Sequence, residues 1–198
     1  MIKDNDIAIP MQSGGDVVAE GVSLDGNTDF LSRSTDLINN QDSKTFTFSC
    51  WVYNDDDTGY QVLAYGGNGT TYRYVFAKSN NIINFILKNS SDTIIVNISS
   101  DIVFPKSTWF NFMVSLDLAD TNKRHIYMND VAQSPTWSSY INDFICFTNT
   151  EHFVGSRYNS SPSLLKGRLS HLFIAREYID LSITENRRLF ITEDGKPA

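Results

Sequence analysis

The sequence predicts an all-β chain, a two-sheet antiparallel β-sandwich of the jelly-roll type with one short carboxyl-terminal helix. Three observations carry this expectation. Apolar and polar residues alternate at a period of two along several segments, as they do in strands buried on one face. The 198 residues include 18 Asp and 18 Asn but five Glu, a balance that favours turns and hairpin tips over helices. Finally, 41% apolar and 13% aromatic residues supply one sizeable core, which excludes disorder. A single open sheet would leave its apolar face in water, so the strands must pack as two layers.

Residues 1–21 read as an amino-terminal arm or edge strand, because Pro10, Gly14 and Gly15 interrupt short apolar groups such as Ile7 and Ile9. Residues 22–191 form the jelly roll, and residues 192–198 a carboxyl-terminal tail. In residues 45–53, Phe46, Phe48, Cys50 and Val52 fall on one face, with Thr45, Thr47, Ser49, Trp51 and Tyr53 on the other. Residues 72–78, 82–88 and 93–99 make a meander turned at Asn80-Asn81 and at Asn89-Ser90-Ser91-Asp92. Residues 109–116 place Phe110, Phe112, Val114 and Leu116 on one face, and Asp120-Thr121-Asn122 turns the chain back through residues 123–128. Further strands are expected at residues 144–148, 152–156 and 168–175. A helix is expected over residues 183–191, with Ser182 and Glu185 as a capping box and Ile183, Arg187 and Ile191 on one stripe.

A formal charge of -7 has the wrong sign for a nucleic-acid partner. No segment approaches 18 apolar residues and the amino terminus lacks the apolar run of a signal peptide, so a soluble chain without membrane insertion is expected. Cys50 and Cys146 stand in apolar, strand-like contexts and read as small buried residues, a disulfide between them being the alternative. The sequons at Asn68, Asn89, Asn97 and Asn159 read as chance in so Asn- and Ser-rich a chain.

Five motifs stand in an order that resembles the laminin G-like, or concanavalin A-like lectin/glucanase, superfamily. They are Ser23-Leu24-Asp25-Gly26-Asn27-Thr28-Asp29-Phe30, Phe46-Thr47-Phe48-Ser49-Cys50-Trp51-Val52, residues 109–116, Ile126-Tyr127-Met128-Asn129-Asp130, and Gly167-Arg168-Leu169-Ser170-His171-Leu172-Phe173-Ile174. Together they cover about residues 22–190. Two positions depart from the pattern: Asn129-Asp130 replaces the usual Asn-Gly tip, and Asn111 stands where the family often has His. Asp tolerates the left-handed conformation, so the tip should form. The ending Leu189-Phe190-Ile191-Thr192-Glu193-Asp194-Gly195-Lys196-Pro197 is similar to that of laminin G-like proteins of tailed bacteriophages and prophages. This resemblance implies a virion component made in the host cytoplasm, a head decoration, tail or fibre-associated module. Its implied partners are other virion proteins and host-surface or other glycans, and its implied state is a homo-oligomer.

Glucanases of the superfamily carry alternating carboxylates on one strand, since nucleophile and general acid must face one groove roughly 5–5.5 Å apart for retention. Glu20, Glu151, Glu177, Glu185 and Glu193 never pair in that way, and His125, His152 and His171 are isolated. No catalytic residue is assigned, and no cofactor is required. Sugar recognition needs an aromatic face and nearby polar groups. Trp137 and Tyr140 in the polar loop 134–140, and Tyr158 with Asn159 in the stretch 157–161, are therefore the carbohydrate-binding candidates; the stretch 65–72 has a similar mixture. The competing role for Trp137 is to cover a sheet edge or a subunit interface. Trp51 and Trp109 lie opposite the apolar stripes, but family position implies structural packing and leaves them outside the site. In the acidic run 54–59, Asp55 and Asp57 are candidate Ca²⁺ ligands, against the alternative of solvated turn residues. Arg168, Arg176, Arg187 and Arg188 are expected to balance acids or anchor a neighbouring subunit, with binding of acidic glycans as their alternative role.

Overall fold

Two seven-stranded antiparallel sheets face each other across a core rich in phenylalanine, in a computed structural model that describes residues 7–8, 21–37, 39–69, 71–158 and 163–198. The first sheet runs in the order β1 (Ile7–Ala8), β14 (Lys166–Ala175), β4 (Thr45–Asn54), β9 (Trp109–Asp117), β10 (Arg124–Met128) and β11 (Val131–Ala132), with β2 (Gly21–Asp25) also paired to β14. The second runs β12 (Trp137–Tyr140), β8 (Ile94–Val103), β7 (Ile82–Lys88), β6 (Thr71–Ser79), β5 (Tyr60–Asn68), β13 (Glu151–Val154) and β3 (Leu31–Arg33). Of the expected amino-terminal arm, residues 1–6 and 9–20 lie outside the described residues.

The alternation of β4 and β9 sets the core. Phe46, Phe48, Phe110 and Phe112 point inward from the first sheet and meet Phe76 and Phe85 of the second, all of them buried. Phe48 stacks on Phe76 with centroids 3.9 Å apart and an interplanar angle of 4°. Each such side chain contributes about 1.5–3 kcal/mol by leaving water. Cys50 and Cys146 are both buried and free, and burial pushes both thiols up. At the two-residue hairpin tips, Asn80 (φ 47°), Asn81 (φ 61°), Asn129 (φ 48°) and Asp130 (φ 66°) are all left-handed, as type I′ turns require.

Residues 60–68 add to the second sheet a strand that the sequence reading did not place, and three expectations need correction. Gly66 and Gly67 make this strand, because a Cβ on Gly66 would fall 2.1 Å from the Tyr74 ring and one on Gly67 2.4 Å from the Thr71 carbonyl oxygen. Trp137–Tyr140 is an edge strand and not a loop, paired to β8. Residues 144–148 are not a strand: Ile145 makes an isolated bridge to Ser43, and the Asp42 carboxylate accepts the N–H groups of Phe147 and Thr148. Finally, the helix is a single turn, Thr184–Arg187, whose N-cap Ile183 supplies no side-chain cap because the Ser182 hydroxyl donates to Asp180 instead.

Part of the outer face of the first sheet is covered by the carboxyl-terminal segment. Leu181, Phe190 and Ile191 pack there against Trp51 and Met113, forming a second small core with Tyr127, Phe173 and Ile179 at its margin. This segment also builds one wall of a groove on that face.

Candidate functional site

The sequence-predicted sugar residues occupy two separate places. Trp137 and Tyr140 come together on β12, rings 5.3 Å apart at 88°, both half-buried against the main core. The Tyr140 hydroxyl donates to the Asp117 carbonyl (2.8 Å), and the Arg124 guanidinium of β10 lies 5.2 Å from each ring. An arginine from one sheet thus stacks on two rings of the other and closes the sandwich edge, with cation–π attraction holding the contact. Tyr158 belongs to the opposite, outer face of the second sheet, with Tyr60, Tyr65, Tyr72 and Phe153. There Lys88 Nζ lies 3.8 Å over Tyr72, and Arg157 lies 5.4 Å from Tyr72 and 5.9 Å from Tyr158. Asn159 lies outside the described residues.

In the acidic loop, each candidate calcium ligand faces a protein cation. Asp55 is 3.9 Å from Arg168, and Asp57 is 3.4 Å from Lys106 and accepts from Asn54 Nδ2 at 3.1 Å. Hydrogen bonds from the Thr58 N–H and hydroxyl hold the Asp56 carboxyl below its ordinary range. Lys78, fully buried, donates to the Asp56 carbonyl, and that burial pushes its amine down. Among the described residues, no three His, Cys, Asp or Glu side chains gather as a metal ion requires.

A groove of about 470 Å³ opens on the outer side of the first sheet, lined by Trp51, Trp109, Asn129, Asp130, Val131 and the tail residues 191–193 and 195. The cross-strand register of β4 and β9 places Trp109 beside Tyr53, and the two rings meet edge to face at 5.6 Å and 67°. Arg168 stacks on Tyr53 at 4.4 Å, which buttresses the pair from behind. Trp109 nevertheless keeps 37% of its surface exposed, and Val131 keeps 62%.

The polar groups of this groove are mostly engaged within the protein. Asn129 Oδ1 accepts from the Asn111 N–H (2.9 Å). Asp130 receives Arg187 Nε and, at 2.9 Å, Arg188. Burial would raise this carboxyl, but the two arginine hydrogen bonds outweigh it and hold the group below the usual carboxylate range. The tail is folded on itself by an Ile191↔Pro197 bridge, a Thr192 N–H bond to the Lys196 carbonyl (2.8 Å) and a Lys196–Asp194 ion pair (2.7 Å). Asp194 also accepts from the Thr192 hydroxyl and lies at about 2, held down first by Lys196. Glu193 is exposed and has no partner among the described residues.

Sequence reasoning left Trp109 out of the binding set because the family resemblance implied a packing role for it, although its alternation already put it opposite the apolar stripe. Its place at the open end of a strand, on the face opposite Phe110 and Phe112, is the signal that identifies it.

A family model of laminin G type, described as Concanavalin A-like lectin/glucanases superfamily, matches residues 25–177. No curated protein matches the sequence. Among solved structures, the native heptameric SAP-like pentraxin from Limulus polyphemus is similar at 12% identity and a TM-score of 0.64, over 89% of this chain and 83% of that one. The botulinum neurotoxin serotype G binding domain is similar at 12% identity and 0.57, over 86% of this chain and 46% of that one. NanB sialidase from Streptococcus pneumoniae is similar at 11% and 0.58, over 80% of this chain and 26% of that one. At such identities the likeness concerns the fold. The family match spans most of the sandwich built above, and this chain belongs to the concanavalin A-like lectin/glucanases superfamily.

Proposed function

We propose that this chain is a non-catalytic structural and adhesion protein of a bacteriophage particle, a head decoration, tail or fibre-associated module that binds glycans. The observation that carries the binding reading is the groove beside Trp109, an exposed indole next to polar groups in a cleft of about 470 Å³. Trp137 and Tyr140, closed off under Arg124, serve the sheet edge instead. The groove favours binding over hydrolysis. A glycosidase needs a carboxyl that stays protonated until it donates, and Asp130, clasped by Arg187 and Arg188, is held ionised. The virion setting is supported by the phage-like ending of the sequence, and homo-oligomeric assembly belongs to the same proposal.

A glycan array probed with the purified protein, with and without calcium, tests the binding reading and any role of Asp55 and Asp57 together. Array hits that disappear in Trp109→Ala are expected, and an array with no hits in either condition overturns it. Proteomics of purified particles tests the setting: a glycan-binding chain absent from particles would be a soluble lectin. Sugar release by the purified protein would overturn the non-catalytic assignment.

A further inference from the structure

The groove beside Trp109 carries a more specific message, which rests on the glycan-binding reading above. Its lining offers a ligand few free hydrogen-bonding groups. Asn129 Oδ1 is spent on the Asn111 N–H, both Asp130 oxygens on Arg187 and Arg188, and the Thr192 hydroxyl on Asp194 and the Lys196 N–H. Asp194 is itself paired with Lys196. The nearby cations are committed too: Arg187 also stacks over Tyr127 at 4.6 Å, and Arg168 lies over Tyr53 and faces Asp55. What remains for a ligand is an aromatic face, an apolar Val131 side chain, the neutral side-chain amide N–H groups of Asn129 and, as the one charged group, the Glu193 carboxylate.

We propose that this groove selects saccharides bearing a free, protonated amine, with the ammonium held between the Trp109 indole and the Glu193 carboxylate. An indole face attracts a cation through its quadrupole, and a carboxylate without a protein partner supplies the charge. The sugar ring's C–H face lies against the indole and Val131. An acidic saccharide would meet Glu193 with no unpaired cation among the described residues that line the groove to offset the repulsion. The chain's net charge of -7 acts in the same direction, since it attracts cationic ligands and repels anionic ones.

The test compares fully deacetylated chitooligosaccharides with their N-acetylated counterparts of equal length, which differ in the charged amine. Binding is read by tryptophan fluorescence and calorimetry on the full chain, for wild type, Glu193→Gln and Trp109→Ala. The deacetylated series is expected to bind about five- to tenfold more tightly at low salt. That advantage should disappear in Glu193→Gln and shrink with added salt, while Trp109→Ala weakens both series. Glu193 is exposed, so its variant should melt like wild type, and circular dichroism checks this. Equal or tighter binding of the N-acetylated series overturns the proposal, as does an advantage that survives in Glu193→Gln. A lysine oligopeptide of matched charge that binds as well as the amino sugar overturns the saccharide assignment. Binding of neutral glycans without amine preference removes this inference and leaves the glycan-binding reading standing; absence of any glycan binding removes both.

Discussion

Trp51 Nε1 donates a hydrogen bond to the main-chain carbonyl of Phe190, 3.1 Å away, and so fastens the carboxyl-terminal segment to the outer face of the first sheet. The indole is 4% exposed, and Met113, Leu181 and Ile191 surround it. Without this segment, Trp51 and Met113 would lie on a wetted apolar face, which a monomeric sandwich seldom exposes. The attachment also holds residues 191–195 in place as a wall of the groove.

Removing the anchor should therefore destabilise the chain in two distinguishable degrees. Phe190→Ala empties a buried aromatic site and is expected to cost about 3–5 kcal/mol. Trp51→Phe keeps most of the packing but leaves the Phe190 carbonyl without its donor, at about 1–2 kcal/mol. Urea denaturation midpoints at constant slope measure both. A Phe190→Ala midpoint equal to wild type would show that the segment does not fold with the sandwich.

The Asp130 carboxylate joins a hairpin tip to the short helix by receiving both Arg187 and Arg188. Asp130→Asn leaves two half-buried guanidinium groups without their acid, and a loss of about 1–2 kcal/mol is expected near neutral pH. Because the folded carboxyl titrates below its ordinary value of 3.8, the stabilisation is present above that value. It is lost as pH falls through the folded pKa. The gap between wild type and Asp130→Asn should accordingly persist from neutral pH down to about 4 and then close. A gap that widens in acid would contradict this account.

The sandwich was legible because β4 and β9 alternate so regularly, and because Asn80-Asn81 and Asn129-Asp130 are residues that accept φ > 0. The strand at residues 60–68 was hidden by the residues that make it fit. Gly66 and Gly67 signal a loop in sequence, yet they are there because Tyr74 and Thr71 approach the backbone closely. The site was less legible for a topological reason. Trp137 and Tyr158 look alike in their polar surroundings, but Trp137 packs from the edge strand β12 against the main core, whereas Tyr158 packs with Tyr60, Tyr65, Tyr72 and Phe153 on the outer face of the second sheet. The groove, by contrast, assembles from β9, a hairpin tip and the tail, pieces that no local pattern links.

The two strand glycines give a further test. Gly66→Ala would drive a methyl group into the ring of the buried Tyr74, and Gly67→Ala would press one against the Thr71 carbonyl and the Tyr65 hydroxyl. Neither neighbour can move freely, so each change is expected to cost about 2–4 kcal/mol, although alanine has a higher strand propensity than glycine. Thermal melts measure the loss. A neutral or stabilising Gly66→Ala would mean that Tyr74 does not lie where its bond to His152 places it.

That bond involves the second buried feature of the same region. The His152 imidazole, 4% exposed, meets the Tyr74 hydroxyl at Nδ1 (2.9 Å) and lies 3.6 Å from Asp36 at Nε2. Burial lowers its pKa below 6.5; the Asp36 carboxylate works against that shift and Arg33 adds slightly to it. The ring is thus held neutral in the fold, whereas the unfolded chain takes up the proton at about 6.5. Its contribution is complete above 6.5 and is lost as pH falls through the folded pKa, with a slope of at most about 1.4 kcal/mol per pH unit. His125 shifts in the same direction, by burial opposed by Asp180, and adds to the slope. Urea midpoints between about pH 7.5 and pH 5.5 should therefore decline for wild type and decline less for His152→Gln, which can still accept from Tyr74. The double variant with His125→Gln should be nearly flat over that range. A His152→Gln profile parallel to wild type would show that the folded imidazole titrates as it does in the unfolded chain, and a steeper decline in the variant would show that it is protonated in the fold; either outcome contradicts this account.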